Sequence, residues 1–343
     1  MKKKPLLLVA LFILALAVTI IAGLSIGAVK IPFATTVQVL LARIVSWEAA
    51  LSVDPTAATI VSTIRLPRVL LAALVGAALS IAGASFQGLL RNPLADPYTI
   101  GVSSGAAVGA TLGMLLHGQG NWSLSFYLPF FALVGGVLAL AAVYNLARTG
   151  GRLPVITLLL AGVVVSSFLS AIISLILIFA GEQMQGIFFW LSGGFILRTW
   201  RHVYIMLPYL VVGLLVLLYY ARDLNVILLG EDEAQGLGIE VENTKTVVLL
   251  AASLVTSAAV AVSGMIGFVG LIIPHAVRMF TGPDHRVLFP TAALAGSIFL
   301  VWADILARTL LAPQEIPVGI ITAFFGAPFF MYLLASKKKD FRF

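Results

Sequence analysis

An all-α, polytopic membrane protein is the fold class this sequence predicts, on three observations. Of its 343 residues 61% are hydrophobic and 10% charged, against about 25% charged in soluble domains. Mean hydropathy is +1.09. Apolar stretches of about 20 residues, the length a helix needs to cross a bilayer, recur along the chain. Lipid offers a backbone no hydrogen bonds, so each stretch is expected to be helical. No low-complexity tract or soluble domain interrupts them, and residues 1–343 are read as a single transmembrane domain.

Hydropathy places about ten spans, at 6–29, 67–89, 97–116, 125–147, 155–180, 203–220, 246–264, 267–279, 287–307 and 317–335. The first follows Met1-Lys-Lys-Lys4 and runs on past the small-x-small site Ala15-Leu16-Ala17. It reads as an uncleaved signal anchor in preference to a removed leader. Residues 32–54 form a long connection, with Val37, Leu40, Leu41, Ile44 and Trp47 on one face, expected to lie along the outer interface. Arg65-Leu-Pro-Arg68 sets two arginines beside a helix-starting proline. The second and third spans are rich in Gly, Ala and Ser, which suits close helix packing or the wall of a translocation path. Between them, Arg91-Asn-Pro-Leu-Ala-Asp-Pro97 holds two prolines and three polar side chains, and the chain must reverse there at a membrane surface. Asp96-Pro97 supplies an N-cap and a first-turn proline for the third span. The eighth span is short, and residues 264–274 read equally as a broken helix.

With the N-terminus inside, fourteen Lys and Arg fall on the inside and seven on the outside, so both termini are expected to be cytoplasmic. The net charge of +7 reads as loop and phospholipid-headgroup charge, with no nucleic-acid partner implied. The outside set (Lys30, Arg43, Arg65, Arg68, Arg198, Arg201 and Arg308) is larger than topology alone requires. Asp304 and Arg308, at i,i+4, read either as a local ion pair or, with Arg65 and Arg68, as part of an outward basic patch for an acidic partner. Inside, Glu231-Asp232-Glu233 lies between Val226-Ile-Leu-Leu229 and Leu237-x-Ile239. It is either a solvated turn or a short amphipathic helix that docks a partner.

Several chemistries are excluded. The chain has no cysteine, so thiolate metal sites and Cys nucleophiles are ruled out, and its four histidines are scattered without a metal-binding spacing. No Gly-Lys pair occurs, so there is no Walker A loop, and any ATP chemistry belongs to another chain. No catalytic residue and no metal ligand is assigned.

In order along the chain stand Arg65-Leu-Pro-Arg68, Gly83-x-x-x-Gln87, Arg91-Asn-Pro-Leu-Ala-Asp-Pro97, Leu159-Leu-Ala-Gly162, Trp190-Leu-x-Gly193, Gly230-x-x-x-Ala234-x-x-Leu-Gly238, Gly267-Phe-Val-Gly-Leu-Ile-Ile-Pro-His275 and Gly319-x-x-Thr322-x-x-x-Gly326-x-Pro328. From about Arg65 to Leu334 the sequence resembles the FecCD-type permeases of bacterial ABC importers for iron–siderophores, haem and cobalamin. The resemblance implies a homodimer of ten-span subunits in the bacterial inner membrane, with a pathway at the two-fold axis. It also implies two ATPase subunits carrying ATP and Mg, no cofactor in this chain, and an extracytoplasmic substrate-binding protein. By matching motif, Arg65, Arg68 and Arg308 would dock the binding protein. Gly230, Glu231, Asp232, Ala234, Leu237 and Gly238, within a segment at 225–240, would couple to the ATPase. Asn92 and Leu94, facing Pro154 and Val155, would form the cytoplasmic gate. Leu153-Pro-Val-Ile-Thr157 departs from the small hydroxyl residues common there in the family, which weakens the gate assignment. Ferric siderophore is the first-choice cargo, with cobalamin or haem behind it. A secondary transporter is the remote alternative, since it needs intramembrane ionisable residues and Asp304 alone qualifies.

Overall fold

The computed structural model describes residues 3–27, 29–45, 54–117 and 124–336, and these are helical with no strand among them. In chain order the helices are α1 (Lys3–Ser25), α2 (Phe33–Val45), α3 (Pro55–Thr59), α4 (Leu66–Leu89), α5 (Val102–His117), α6 (Leu124–Ala147), α7 (Val155–Phe179) and α8 (Met184–Leu191). There follow α9 (Trp200–Tyr219), α10 (Ala221–Ile227), α11 (Glu231–Gly236), α12 (Val241–Ser263), α13 (Val269–Thr281), α14 (His285–Ala307) and α15 (Val318–Ser336). Seven of the described helical runs are long and apolar enough to cross a membrane, and the third, eighth and tenth expected spans coincide with shorter apolar helices. Trp47 and the C-terminal lysines lie outside the described residues.

Helix α4 is the pillar of the bundle, enclosed by α9, α12, α13 and α14. Its small residues make that possible. A Cβ on Gly76 would fall 2.2 Å from the Gly296 carbonyl oxygen, and one on Gly83 would fall 1.9 Å from that of Gly270. Backbones this close gain dispersion and leave lipid nothing to fill. Ser297 adds a hydrogen bond from its hydroxyl to the Ala73 carbonyl across the same contact, at 2.8 Å. The α5–α6 pair repeats the device, with Gly105 against Gly135 and Gly109 against the Phe131 carbonyl. Close packing is therefore what the small-residue faces of both spans accomplish. Large apolar side chains instead point outward from α1 (Leu7, Leu14), α7 (Val164, Phe168) and α15 (Phe324, Met331). Water would not tolerate such surfaces, whereas hydrocarbon or an apolar partner does.

Three boundaries differ from the hydropathy reading. The second span does not begin at Pro67. A π-helical turn at Ile60–Arg65 joins α3 to α4, so the helical run extends from Pro55 to Leu89. The wider turn lets the Leu66 N–H reach the Val61 carbonyl, and Pro67, which lacks an N–H, follows within the first turn of α4. The third span starts five residues late. Asp96 caps a single 3₁₀ turn, Pro97–Ile100, and Gly101 at φ 86° breaks it before α5. The eighth span starts two residues late: α12 stops at Ser263, and α13 runs unbroken from Val269 through Pro274 to Thr281, behind Phe268 at φ 68°, so residues 264–274 do not form one broken helix. Helix α8 falls between expected spans, since eight residues are too few to give a spanning signal.

Candidate functional site

The residues singled out in the sequence gather into two groups, one around the end of α1 and one around the elbow after α4. At one end Arg65, Arg68 and Arg308 do come together, but not as an open patch. Arg65 and Arg308 are each 5% exposed. Arg65 Nη1 donates to the carbonyls of Leu24 (2.7 Å) and Ser25 (3.0 Å), and Nη2 donates to Val29. Arg308 donates to the Gly23 carbonyl. The Gly23, Leu24 and Ser25 carbonyls belong to the last turn of α1, where the helix dipole also favours a cation, and Val29 follows just beyond it. Both arginines therefore pin α1 to the bundle, which corrects the expectation of a solvent-facing patch. Arg68 is the most accessible of the three. Its Nε and Nη2 grip Asp304 at 2.9 and 2.8 Å, and its Nη1 grips both oxygens of Glu315 at 3.0 and 2.9 Å. Asp304, fully buried, also lies 3.3 Å from Arg308. The local-pair reading of Asp304 and Arg308 thus holds, inside a wider knot that includes Glu315.

At the other end, the elbow after α4 is tied down on three sides. Gln87 Nε2 donates to the carbonyls of Gly270 (3.3 Å) and Leu271 (3.2 Å), while its Oε1 accepts from Arg278 at 3.0 Å. Arg91 donates to the Ile227 carbonyl at the end of α10. Asn92 accepts from the Leu94 N–H at 2.9 Å, so its side chain shapes its own turn. Leu89, Leu90 and Ala95 share an apolar cluster with Leu153 and Leu158, against which Val155 packs, while Pro154 is exposed. The structure thus brings the elbow beside the start of α7. Burial lifts the Asp96 carboxyl to about 7, opposed by the hydrogen bond from the Tyr98 N–H. A carboxyl raised in the folded state stabilises it at low pH and loses that contribution as pH rises toward 7. Asp96→Asn, which keeps a capping oxygen, is expected to flatten the fall of melting temperature between about pH 4 and pH 7, the window that shift spans. Identical pH profiles for the two proteins would refute the assignment.

The acidic segment expected to couple forms α11, with α10 before it. Ala234 is fully buried against Ile227 and Val241, while Leu229 and Leu237 are 76% and 70% exposed. Two large apolar side chains thus stand proud on an acidic knob, and Asp232 and Glu233 are exposed beside them. Glu231 instead turns inward to Lys245, at 2.6 Å. Lys245, 4% exposed, also holds Glu242 at 3.1 Å, and Glu242 Oε2 accepts the Leu153 N–H at 2.7 Å. A continuous polar chain therefore joins α11, through the first turns of α12, to the residue before Pro154. Sequence reading missed Glu242 and counted Lys245 only as loop charge, although their i,i+3 spacing on a helix was a usable signal. Among the described residues no group of three His, Asp or Glu is placed to hold a metal ion.

A model of the FecCD transport family matches residues 14–336. An uncharacterized ABC transporter permease protein, YvrB of Bacillus subtilis, is 47% identical over 95% of this chain and 93% of its own. The cobalamin import system permease protein BtuC of Halobacterium salinarum is 49% identical over 83% of this chain and 76% of its own. The iron(3+)-hydroxamate import system permease protein FhuG of Bacillus subtilis is 38% identical over 96% and 97%. Among solved structures, a metal-chelate type ABC transporter in an inward-facing conformation superposes with a TM-score of 0.82 at 33% identity, over 96% of this chain and 98% of its own.

Proposed function

Since this chain belongs to the FecCD transport family, we propose that it is the permease subunit of an ATP-driven importer that moves a metal chelate into the cytoplasm by alternating access. It is a multi-pass membrane protein. A ferric siderophore is the first-choice cargo, followed by cobalamin or haem. The functional unit is a homodimer in the bacterial inner membrane with both termini cytoplasmic. Hydrolysis of ATP takes place on two separate ATPase subunits, and this chain supplies the path.

The observation that carries the reading is the chain Glu231–Lys245–Glu242–Leu153. A partner that grips Leu229 and Leu237 moves α11, and α11 then pulls through Glu231 on the buried Lys245, which is tied through Glu242 to Leu153 beside the Pro154–Val155 and Asn92–Leu94 gate. Lys245 is buried while its two glutamates are partly solvated, so breaking either contact leaves the buried ammonium with a single carboxylate and the linkage favours staying whole. Nucleotide-driven closure of the ATPase pair reaches the gate only through such differential contacts. Gly230, Asp232 and Gly238 frame the knob that enters the partner.

At the opposite end an acidic binding protein docks over Arg68, supported from below by Arg65 and Arg308. Three arginines against Asp304 and Glu315 leave the knot one positive charge in excess. Glu315, 32% exposed, is the carboxylate an incoming acidic side chain would replace.

Leu237→Asp tests the coupling half. Its side chain is exposed, so the protein should fold normally, while uptake in vesicles containing the reconstituted ATPase falls by at least about tenfold for loss of a hot-spot contact. Wild-type uptake by Leu237→Asp would remove α11 from the coupling role. Disabling the ATPase nucleotide site with the proton gradient intact should stop uptake. Continued uptake would instead favour a secondary transporter.

A further inference from the structure

At the arginine-knot end of the bundle a cavity of about 570 Å³ opens among α5, α6, α8, α9 and the loop between α8 and α9. Its size and its largely apolar wall, with Met114, Leu128 and Phe189, are those of a small-molecule site. Four polar side chains reach that wall: Trp190, Arg198, His202 and Ser263, whose hydroxyl is already donated to the Ala259 carbonyl at 2.8 Å. Trp190 and His202 are 5% and 1% exposed. Gly193, at φ 68° and with its Cβ position 2.2 Å from the Met265 carbonyl, makes the tight turn after Trp190 that brings the loop back over the cavity.

Trp190, Arg198 and His202 all present donors, and among the described residues Trp190 Nε1, Arg198 Nε and His202 Nε2 find no acceptor. His202 Nδ1 accepts the Thr199 N–H at 3.2 Å in the capping box of α9. In the neutral ring the proton must then sit on Nε2, which is buried and unpaired. Trp190 Nε1 and Arg198 Nε are likewise buried without a partner. Burial draws the Arg198 guanidinium down to about 10, which still leaves it cationic at neutral pH. Among the described residues no carboxylate lines the cavity to answer it. Leu197, next to Arg198, is 89% exposed and held at φ 56°, a left-handed conformation that costs a leucine energy and is typical of functional sites.

Buried donors without acceptors call for an acceptor from outside the chain, and a cation among them calls for an anionic one. We propose that this cavity is a binding subsite for an oxyanion, a carboxylate or phosphate, borne on a molecule with an apolar body. Trp190, His202 and Arg198 grip the oxygens, and the Met114–Leu128–Phe189 wall takes the body. Two sources offer that chemistry, the carried solute and an anionic phospholipid headgroup. Only the first rests on the transporter reading.

The test uses the full chain in nanodiscs without any ATPase, so its outcome is independent of whether the chain transports. 6-Fluoro-2-naphthoate, followed by ¹⁹F NMR in phosphatidylcholine discs, should bind about tenfold more tightly than the matching neutral alcohol, as expected of a charged hydrogen bond. Arg198→Gln should abolish that preference, and Trp190→Phe, which keeps the aromatic volume, should reduce it. In discs containing phosphatidylglycerol, displacement of the naphthoate identifies the lipid headgroup as an occupant, and undiminished binding identifies the solute. Equal affinity for acid and alcohol, or a preference that survives in Arg198→Gln, overturns the proposal.

Discussion

Gly83→Val is expected to remove nearly all folded protein from the membrane. The new Cβ would lie 1.9 Å from the Gly270 carbonyl oxygen and 2.5 Å from the Gly270 Cα. Overpacking a core against side chains costs about 1–3 kcal/mol because rotamers can yield. Here the obstacle is the backbone of α13 itself, and α13 is held in turn by Gln87 and Arg278 across the elbow. The strain should therefore exceed the upper end of that range. Yield of monodisperse protein and its melting temperature are the readouts. Gly186→Ala, where nothing lies within 4 Å, is the control and should behave as wild type. A Gly83→Val protein with unchanged yield and melting temperature would show that α4 and α13 do not meet as described.

Asp304→Ala is expected to be the most damaging change of a charged residue, at about 3–5 kcal/mol, the range for removing one partner of a buried pair. Asp304 has no exposed surface and answers two arginines at once. Its loss leaves Arg308 with a helix-end carbonyl alone and Arg68 with Glu315 alone. Glu315→Gln should cost far less, below about 1 kcal/mol, because that carboxylate is partly solvated. The two melting temperatures, measured in the same detergent, decide the matter. Equal shifts for the two variants would mean that the knot is solvated and its enclosure is wrong.

The class of the fold and the order of its spans were legible because hydropathy reports what the bilayer demands of a helix. The elbow was legible too, since Pro93, Pro97 and Asp96 each restrict the backbone in a known way. What hydropathy could not register was depth among charged residues. Arg65 and Arg308 were counted as loop charges facing outward, and only the approach of the end of α1, some forty residues before Arg65, makes them buried caps. Lys245 was misjudged for a similar reason, because Glu231 reaches it from α11, whose path depends on packing around Ala234, while Glu242 sits one turn away on its own helix. The α11 segment itself was visible, because exposed leucines beside three consecutive acids make an unusual loop. Trp190 and His202 gave no signal alone; they acquire meaning from the one cavity they share.

The enclosure of α4 bears on biogenesis. Its glycine-lined side is covered by α14, whose first residue follows that of α4 by about 220 positions. At translation speeds of 5–20 residues per second, the nascent chain therefore waits on the order of 10–40 s for its principal mate to leave the ribosome. Throughout that interval a helix made for protein contact sits beside lipid or the insertion machinery. Chains that terminate before residue 285 never acquire the cover, so truncation there should yield substrates for membrane proteases.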